Sequence, residues 1–249
     1  MAGHNISFAT TLYHGDVHYE SYANDTGREG RRGVELTSVY YYRYGVLGTL
    51  DVDGVGVTVS TALATGASTD ITLTGALSTA SVATFDAPRS FSITSTADES
   101  GDTFHIYGTD MYGDLMVDNL AGPNNTTVNS LKMFLTVSRV NVTSALSSSQ
   151  VTYGMGDRIG LPIRATRVDN IVALIDGNTV TGGGLTFAAG LLATGSSAAT
   201  TADIRGYIYA SGVVPNASRS FAVMCLIPDN STRGAVFGVA QGTVAATAA

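Results

Sequence analysis

The sequence predicts a mainly β protein: an antiparallel β-sandwich, jelly-roll-like in its run of short strands, behind an irregular N-terminal arm. Three observations predict it. No stretch of ten residues repeats its apolar positions at helical spacing. Short alternating runs follow one another closely, separated by Gly, Pro, Asn and Asp, the cue for sandwiches and barrels. Charged residues make up only 13% of the 249, and Ala, Val, Thr, Ser and Gly are abundant. Small and β-branched side chains suit sheets better than helices.

Residues 1–35 lack apolar periodicity and read as an extended arm that orders against a partner. They hold His4, His14 and His18, and the cluster Arg28, Arg31 and Arg32. His14 and His18, in HGDVH, could share a metal on a helix, but Gly15 opposes a helix and no further ligand follows; no metal site is assigned. Residues 36–249 are read as the sandwich domain, with a sub-boundary at the acidic stretch 98–102, DESGD.

A first strand ends in SVYYYRYG. Tyr40, Tyr42 and Tyr44 share one face, Tyr41 and Arg43 the other. Such a stripe fits the rim of a core or a subunit interface, and its amphipathic rings also suit a sugar surface. Short strands then fill residues 47–97. Asp53-Gly54 reads as a hairpin turn and Pro88 as an edge or a strand start. DVDG resembles half of a calcium loop, but no later Glu completes it.

Residues 104–164 organise the chain. Phe104, Ile106 and Gly108 share one strand face and His105 and Tyr107 the other. A turn at 110–114, with Gly113 at φ > 0, leads into a return strand at 115–120. Residues 132–143 alternate in two phases that slip by one at Ser138–Arg139, the signature of a β-bulge. A strand at 150–153 precedes Gly154, Gly156, Gly160 and Pro162, read as a corner. Beyond it, IVALID runs into a turn at Gly177-Asn178, residues 203–210 alternate, and residues 221–227 read as a central strand that buries Cys225. Val236 to Val239 suggests a last strand.

These later segments carry a resemblance. GTDMYGDLM, AGPNNTTV and VTYGMGDRIGLP, then ADIRGYIYASG, SRSFAVMCLIPDN and FGVAQ, resemble in order and spacing a block of tailed-phage structural proteins. That block has a GTDxYG hairpin, a GPN turn, a G-x-GDxxGLP segment, a D-x-RG-x-Y strand and a YGxAQ element. The match covers residues 104–241; the first hundred residues match nothing in the block. The resemblance implies a virion component, a capsid decoration (cement) or head-fibre protein. Its site would be the capsid surface, its place of synthesis the host cytoplasm, and its partners the major capsid protein and further copies of itself, as a dimer or trimer.

Residue chemistry fits a non-enzymatic role. No nucleophile elbow, phosphate loop or zinc motif is present, and the only Glu residues are Glu20, Glu29, Glu35 and Glu99. Asp110 with Asp114, or Asp114 with Asp118, could supply paired carboxylates, but both pairs fall in turns or at strand ends, where Asp binds its own backbone. No catalytic residue and no cofactor is assigned. A net charge of −7, with 12 Arg and Lys132 as the one Lys, makes nucleic acid a poor partner. No apolar run reaches the ~20 residues of a membrane span. The interface residues expected are Arg28, Arg31, Arg32, Tyr40, Tyr42 and Tyr44. Two other roles remain: a tail or head-fibre part that binds host-surface glycans, and a depolymerase.

Overall fold

A computed structural model describes residues 37–58, 68–146, 151–165, 167–180, 185–190, 203–210 and 213–228. The chain is almost all antiparallel β, with curled sheets in a sandwich-like, half-barrel arrangement. The strands are β1 (Thr37–Val46), β2 (Asp51–Thr58), β3 (Thr69–Ile71), β4 (Ser78–Thr79), β5 (Val82–Ser95), β6 (Thr103–Thr109) and β7 (Leu115–Ala121). There follow β8 (Thr127–Val142), β9 (Val151–Gly160), β10 (Ile171–Ile175), β11 (Asn178–Val180), β12 (Leu185–Ala189), β13 (Gly206–Ala210) and β14 (Ser220–Pro228). Among the described residues the only helical turn is the 3-10 segment Val168–Asn170.

The smaller sheet has the order β1-β14-β10-β11; the larger runs β12-β13-β9-β5-β8-β6-β7, with β2 on β9, β3 on β8 and β4 on β5. Two apolar clusters follow. One lies within the curl of the large sheet: Phe85, Phe91, Ile93, Phe104, Ile106, Phe134 and Tyr153, closed over by Val55, Ile71 and Leu73. The other joins the two sheets: Ala87, Ile159, Leu161 and Ile208 from the large one meet Ile171, Ala173, Phe221, Val223 and Cys225 from the small one. Because β5 reaches both clusters, it is buried without a break from Ala87 to Ile93.

The β6–β7 hairpin forms as the alternation predicts. Phe104, Ile106 and Gly108 point inward, and Gly113 takes φ +83° in the turn. The phase slip in β8 is a bulge: Tyr107 pairs with Arg139 but Gly108 with Val137, leaving Ser138 extra, so Val137 and Val140 both face the core.

Several local readings change. Asp53-Gly54 makes no hairpin; it lies inside β2, where the register against β9 shifts between Asp51 and Gly56. Pro88 sits mid-strand in the central β5, tolerated because the β5–β8 ladder breaks between Thr84 and Arg89. The glycines after residue 153 form no corner, since β9 runs on to Gly160. They let other chains come close: a Cβ on Gly154 would lie 1.8 Å from the Asp51 carbonyl oxygen. The β10–β11 turn is Asp176-Gly177, one residue earlier than expected, with φ +51° and +79°. At residues 98–102, Asp98 bridges to Asn124 and Glu99 is buried; strands from before and after this stretch share the large sheet.

Candidate functional site

The hairpin tip after β6 is built around Asp110. Its Oδ1 accepts the backbone N–H groups of Tyr112 (2.8 Å) and Asp114 (3.0 Å), the local use of an aspartate in a turn. Its Oδ2 faces away from the turn and takes a charge-assisted bond from Arg205 Nη2, which enters from the start of β13. Both side chains are buried. Asp203 positions that arginine: its Oδ1 accepts the Arg205 N–H (2.8 Å) and its Oδ2 the Met133 N–H (3.0 Å) of β8.

Tyr112 covers the pair. Its ring centroid lies 4.7 Å from the Arg205 guanidinium carbon, and its hydroxyl donates to the Pro162 carbonyl at 2.5 Å. Below it, the Leu161 N–H donates to the Gly206 carbonyl and Ala165 N–H to the Arg205 carbonyl. The space bounded by Pro88, Asp110, Met111, Met133, Gly160, Leu161, Asp203 and Arg205 leaves no room for a water molecule. This junction is a filled knot rather than a ligand pocket.

The tyrosine stripe of β1 adjoins it. Tyr40, Tyr42 and Tyr44 pack on the inter-sheet cluster, while Arg43 on the opposite face is exposed. Tyr42 and Tyr44 meet edge to face at 4.9 Å, and the Tyr44 hydroxyl donates to the Gly160 carbonyl at 2.6 Å. Burial pushes the Tyr112 phenol up to about 12; Tyr40, which also hydrogen-bonds to it, raises it further and Arg205 opposes. Burial likewise holds Tyr44 well above the usual phenol range. Tyr112 is 48% exposed and Tyr40, Tyr42 and Tyr44 are half-buried, so the group presents part of its aromatic surface to solvent at one place.

A second polar group lies nearby. Lys132, the chain's one lysine, is buried, with the charges of Asp118 and Asp203 near it. Burial lowers its pKa and the two carboxylates counter this. Asp118 stands mid-strand in β7, not at a strand end as the sequence reading has it. Its Oδ2 accepts the Leu131 (2.8 Å) and Lys132 (3.1 Å) N–H groups, and burial pushes its carboxyl up to about 6. Arg89 is enclosed too: Nε donates to the Gly156 carbonyl at 2.8 Å, and Asp86 lies 3.6 Å from Nη1.

The interface residues expected from sequence divide. Tyr40, Tyr42 and Tyr44 are half-buried on the inner face of β1; Arg28, Arg31 and Arg32, with His14 and His18, lie outside the described residues. Asp110 and Asp114 share a turn, as expected, and His105 faces outward beside Asn119, 2.6 Å from its Oδ1. The sequence marks Asp203 and Arg205 only as members of the D-x-RG-x-Y segment and Lys132 only as the single lysine, and Arg89 stands in no motif; their burial has one further signal, the rarity of charged residues inside otherwise apolar alternation. Among the described residues no three His, Cys, Asp or Glu side chains are grouped to hold a metal ion. Comparison with protein-family models, with curated proteins and with solved structures gives no match.

Proposed function

We propose that the protein is a non-enzymatic structural component of a tailed-phage virion. In this reading it decorates the capsid surface as a homo-oligomer, at junctions between major capsid subunits, and stabilises the shell. The observation that carries the reading is the meeting of the resemblance motifs. Asp110 and Tyr112 of GTDMYG, Leu161 and Pro162 of GDRIGLP, and Asp203, Arg205 and Gly206 of DIRGY form one bonded junction, although residues 110 and 205 are 95 apart in sequence. Motifs whose side chains are used up in holding the fold suit a structural protein. The charged groups of the junction and of the Asp118–Lys132 group are enclosed, so they serve stability better than turnover.

The contacts to the shell come from residues 1–35, through Arg28, Arg31 and Arg32, and from the solvent edge of the tyrosine group. Adding purified protein to undecorated particles and counting bound copies tests this. Hundreds of copies per particle are expected; tens, confined to the tail, would favour the glycan-binding fibre role instead. A chain starting at residue 36 should fold and fail to decorate. Arg31→Ala/Arg32→Ala should weaken decoration most at low salt, where arginine contacts are least screened. Decoration by the shortened chain equal to that of the whole protein would remove the arm from the proposal.

A further inference from the structure

The large sheet has an outer face where β7, β6, β8 and β3 lie side by side. Phe104, Ile106, Val140 and Val142 fill the core on the other side. The alternate residues point outward, with Asn119, His105, Asn141 and Asp70 in one cross-strand row and Tyr107 beside Arg139 in the next. Arg139 and Asp70 keep 47% and 55% of their side-chain surface exposed, and Leu115, at the hairpin end of the same face, is 69% exposed.

A bulge aims Arg139. Val137 is buried, so unbroken alternation would turn residue 139 inward as well; the extra residue Ser138 puts Val140 there and Arg139 outside. The guanidinium is then held from two sides. Its Nε donates to Asp70 Oδ1 at 2.7 Å, and its carbon stands 5.0 Å from the Tyr107 ring centroid. Asp70 is itself fixed, since the same Oδ1 accepts the Asn141 amide at 2.8 Å. Among the described residues nothing bonds Nη1 or Nη2, so the end of the fork is left to solvent.

Neutral hydrogen-bonding groups flank the fork. Asn119 Oδ1 only accepts, so His105 Nδ1 carries the proton of their 2.6 Å bond, and Nε2 has no partner among the described residues. The Thr109 and Thr136 hydroxyls bond each other at 2.7 Å, which leaves one of their two protons unused.

We infer that this face binds a glycan through a single acidic sugar, its carboxylate on the Arg139 fork and its hydroxyls on His105, Asn119 and the threonine pair. Shape is the first reason. Nη1 and Nη2 offer two parallel donors, which match a planar carboxylate, and a guanidinium already stacked and ion-paired loses little freedom on binding. Charge is the second. Arg139 is the one arginine of these rows and the chain carries −7, so one carboxylate is accepted while a dense polyanion is repelled. Spacing is the third. His105 and Arg139 are diagonal neighbours across β6 and β8, ~7–8 Å apart, a gap that one sugar ring bridges. Imidazole, amide and hydroxyl groups there suit sugar hydroxyls better than the aliphatic stem of a glutamate. The site shares no residue with the capsid contacts proposed above and stands apart from that reading.

Titration of the full-length protein with sialyllactose and with glucuronosyl-glucose, followed by calorimetry, tests the inference. At least one should bind with a Kd of about 1 mM or tighter. Lactose, and the methyl ester of the bound sugar, should bind about tenfold more weakly or less, since a charge-assisted bond is lost. Arg139→Lys keeps the charge without the fork and should weaken binding about tenfold, with Asp70→Asn losing less. Both side chains are exposed, so both variants should melt close to wild type, and Arg31→Ala/Arg32→Ala should bind the sugar unchanged. The inference is overturned if neither sugar binds, if the methyl ester binds as tightly as the acid, or if folded Arg139→Lys binds like wild type. It is also overturned if the Arg31→Ala/Arg32→Ala variant loses the sugar, or if a glutamate-rich peptide displaces it at equal concentration, which would make an acidic peptide the occupant.

Discussion

Asp118 is enclosed in β7, and its Oδ1 has no hydrogen-bond partner among the described residues. Its folded pKa, about 6, stands above the ordinary 3.8 because burial disfavours the charged form. A raised carboxyl pKa favours the folded state fully below the unfolded value, and that contribution is lost as pH rises through the folded one. Between pH 4 and 7, wild type should therefore lose on the order of 3 kcal/mol relative to Asp118→Asn. Urea unfolding of both proteins across that range measures it, and parallel curves would reject it. Cys225 is the simpler case. Burial raises its thiol to about 12, so native protein should resist thiol reagents and Cys225→Ala should cost about 1 kcal/mol. Its burial was legible in SFAVMCLI because an unbroken apolar run needs only composition to read. That of Asp118 was not, since what encloses it, the β8 backbone at Leu131 and Lys132, is 13 and 14 residues away.

Among the elements, alternation carried strand identity and phase, even to the bulge at Ser138. Turns carried less. Asp53-Gly54 has hairpin chemistry, yet the chain holds it within β2, where Gly54 passes Asp51 and Leu77 and the Gly75 N–H binds Val55. Tertiary pairing outweighed a local preference worth little by itself. The strand glycines yield a sharp prediction. A Cβ on Gly108 would sit 1.9 Å from the Thr136 carbonyl oxygen of the neighbouring strand, and neither backbone can yield without breaking the ladder. Gly108→Ala should cost about 1–3 kcal/mol. Gly113→Ala, in an open turn with φ +83°, should cost less, through backbone conformation alone. Thermal melts that rank the two the other way would contradict this account.

At the scale of the molecule, the Asp110–Arg205 pair ties the β6–β7 hairpin to the start of β13. Arg205→Ala should destabilise by about 3–5 kcal/mol, because it leaves a buried carboxylate unpaired. Asp110→Leu/Arg205→Met should recover much of that loss, as buried pairs often exchange for apolar ones at little cost. A double variant no better than the single one would mean that the turn bonds of Asp110, not the ion pair, hold the junction. Sequence could name both residues, since each stands in a resemblance motif, but not their pairing. Nothing local specifies a contact spanning 95 residues. The two-sheet division was hidden for the same reason, β1 and β14 being almost the whole described chain apart.

That last pairing has a consequence for synthesis. Thr37 lies opposite Pro228, so β1 leaves the ribosome 191 residues before its register partner exists. At ~5–20 residues per second this is a wait of roughly 10–40 s. Throughout it, a tyrosine-rich strand with one charged side chain stands without the neighbour that will satisfy its backbone. Nascent chains crowded on one message could pair through β1 during that interval, so slower translation should lower the yield of soluble protein, and a holdase that shields β1 should restore it.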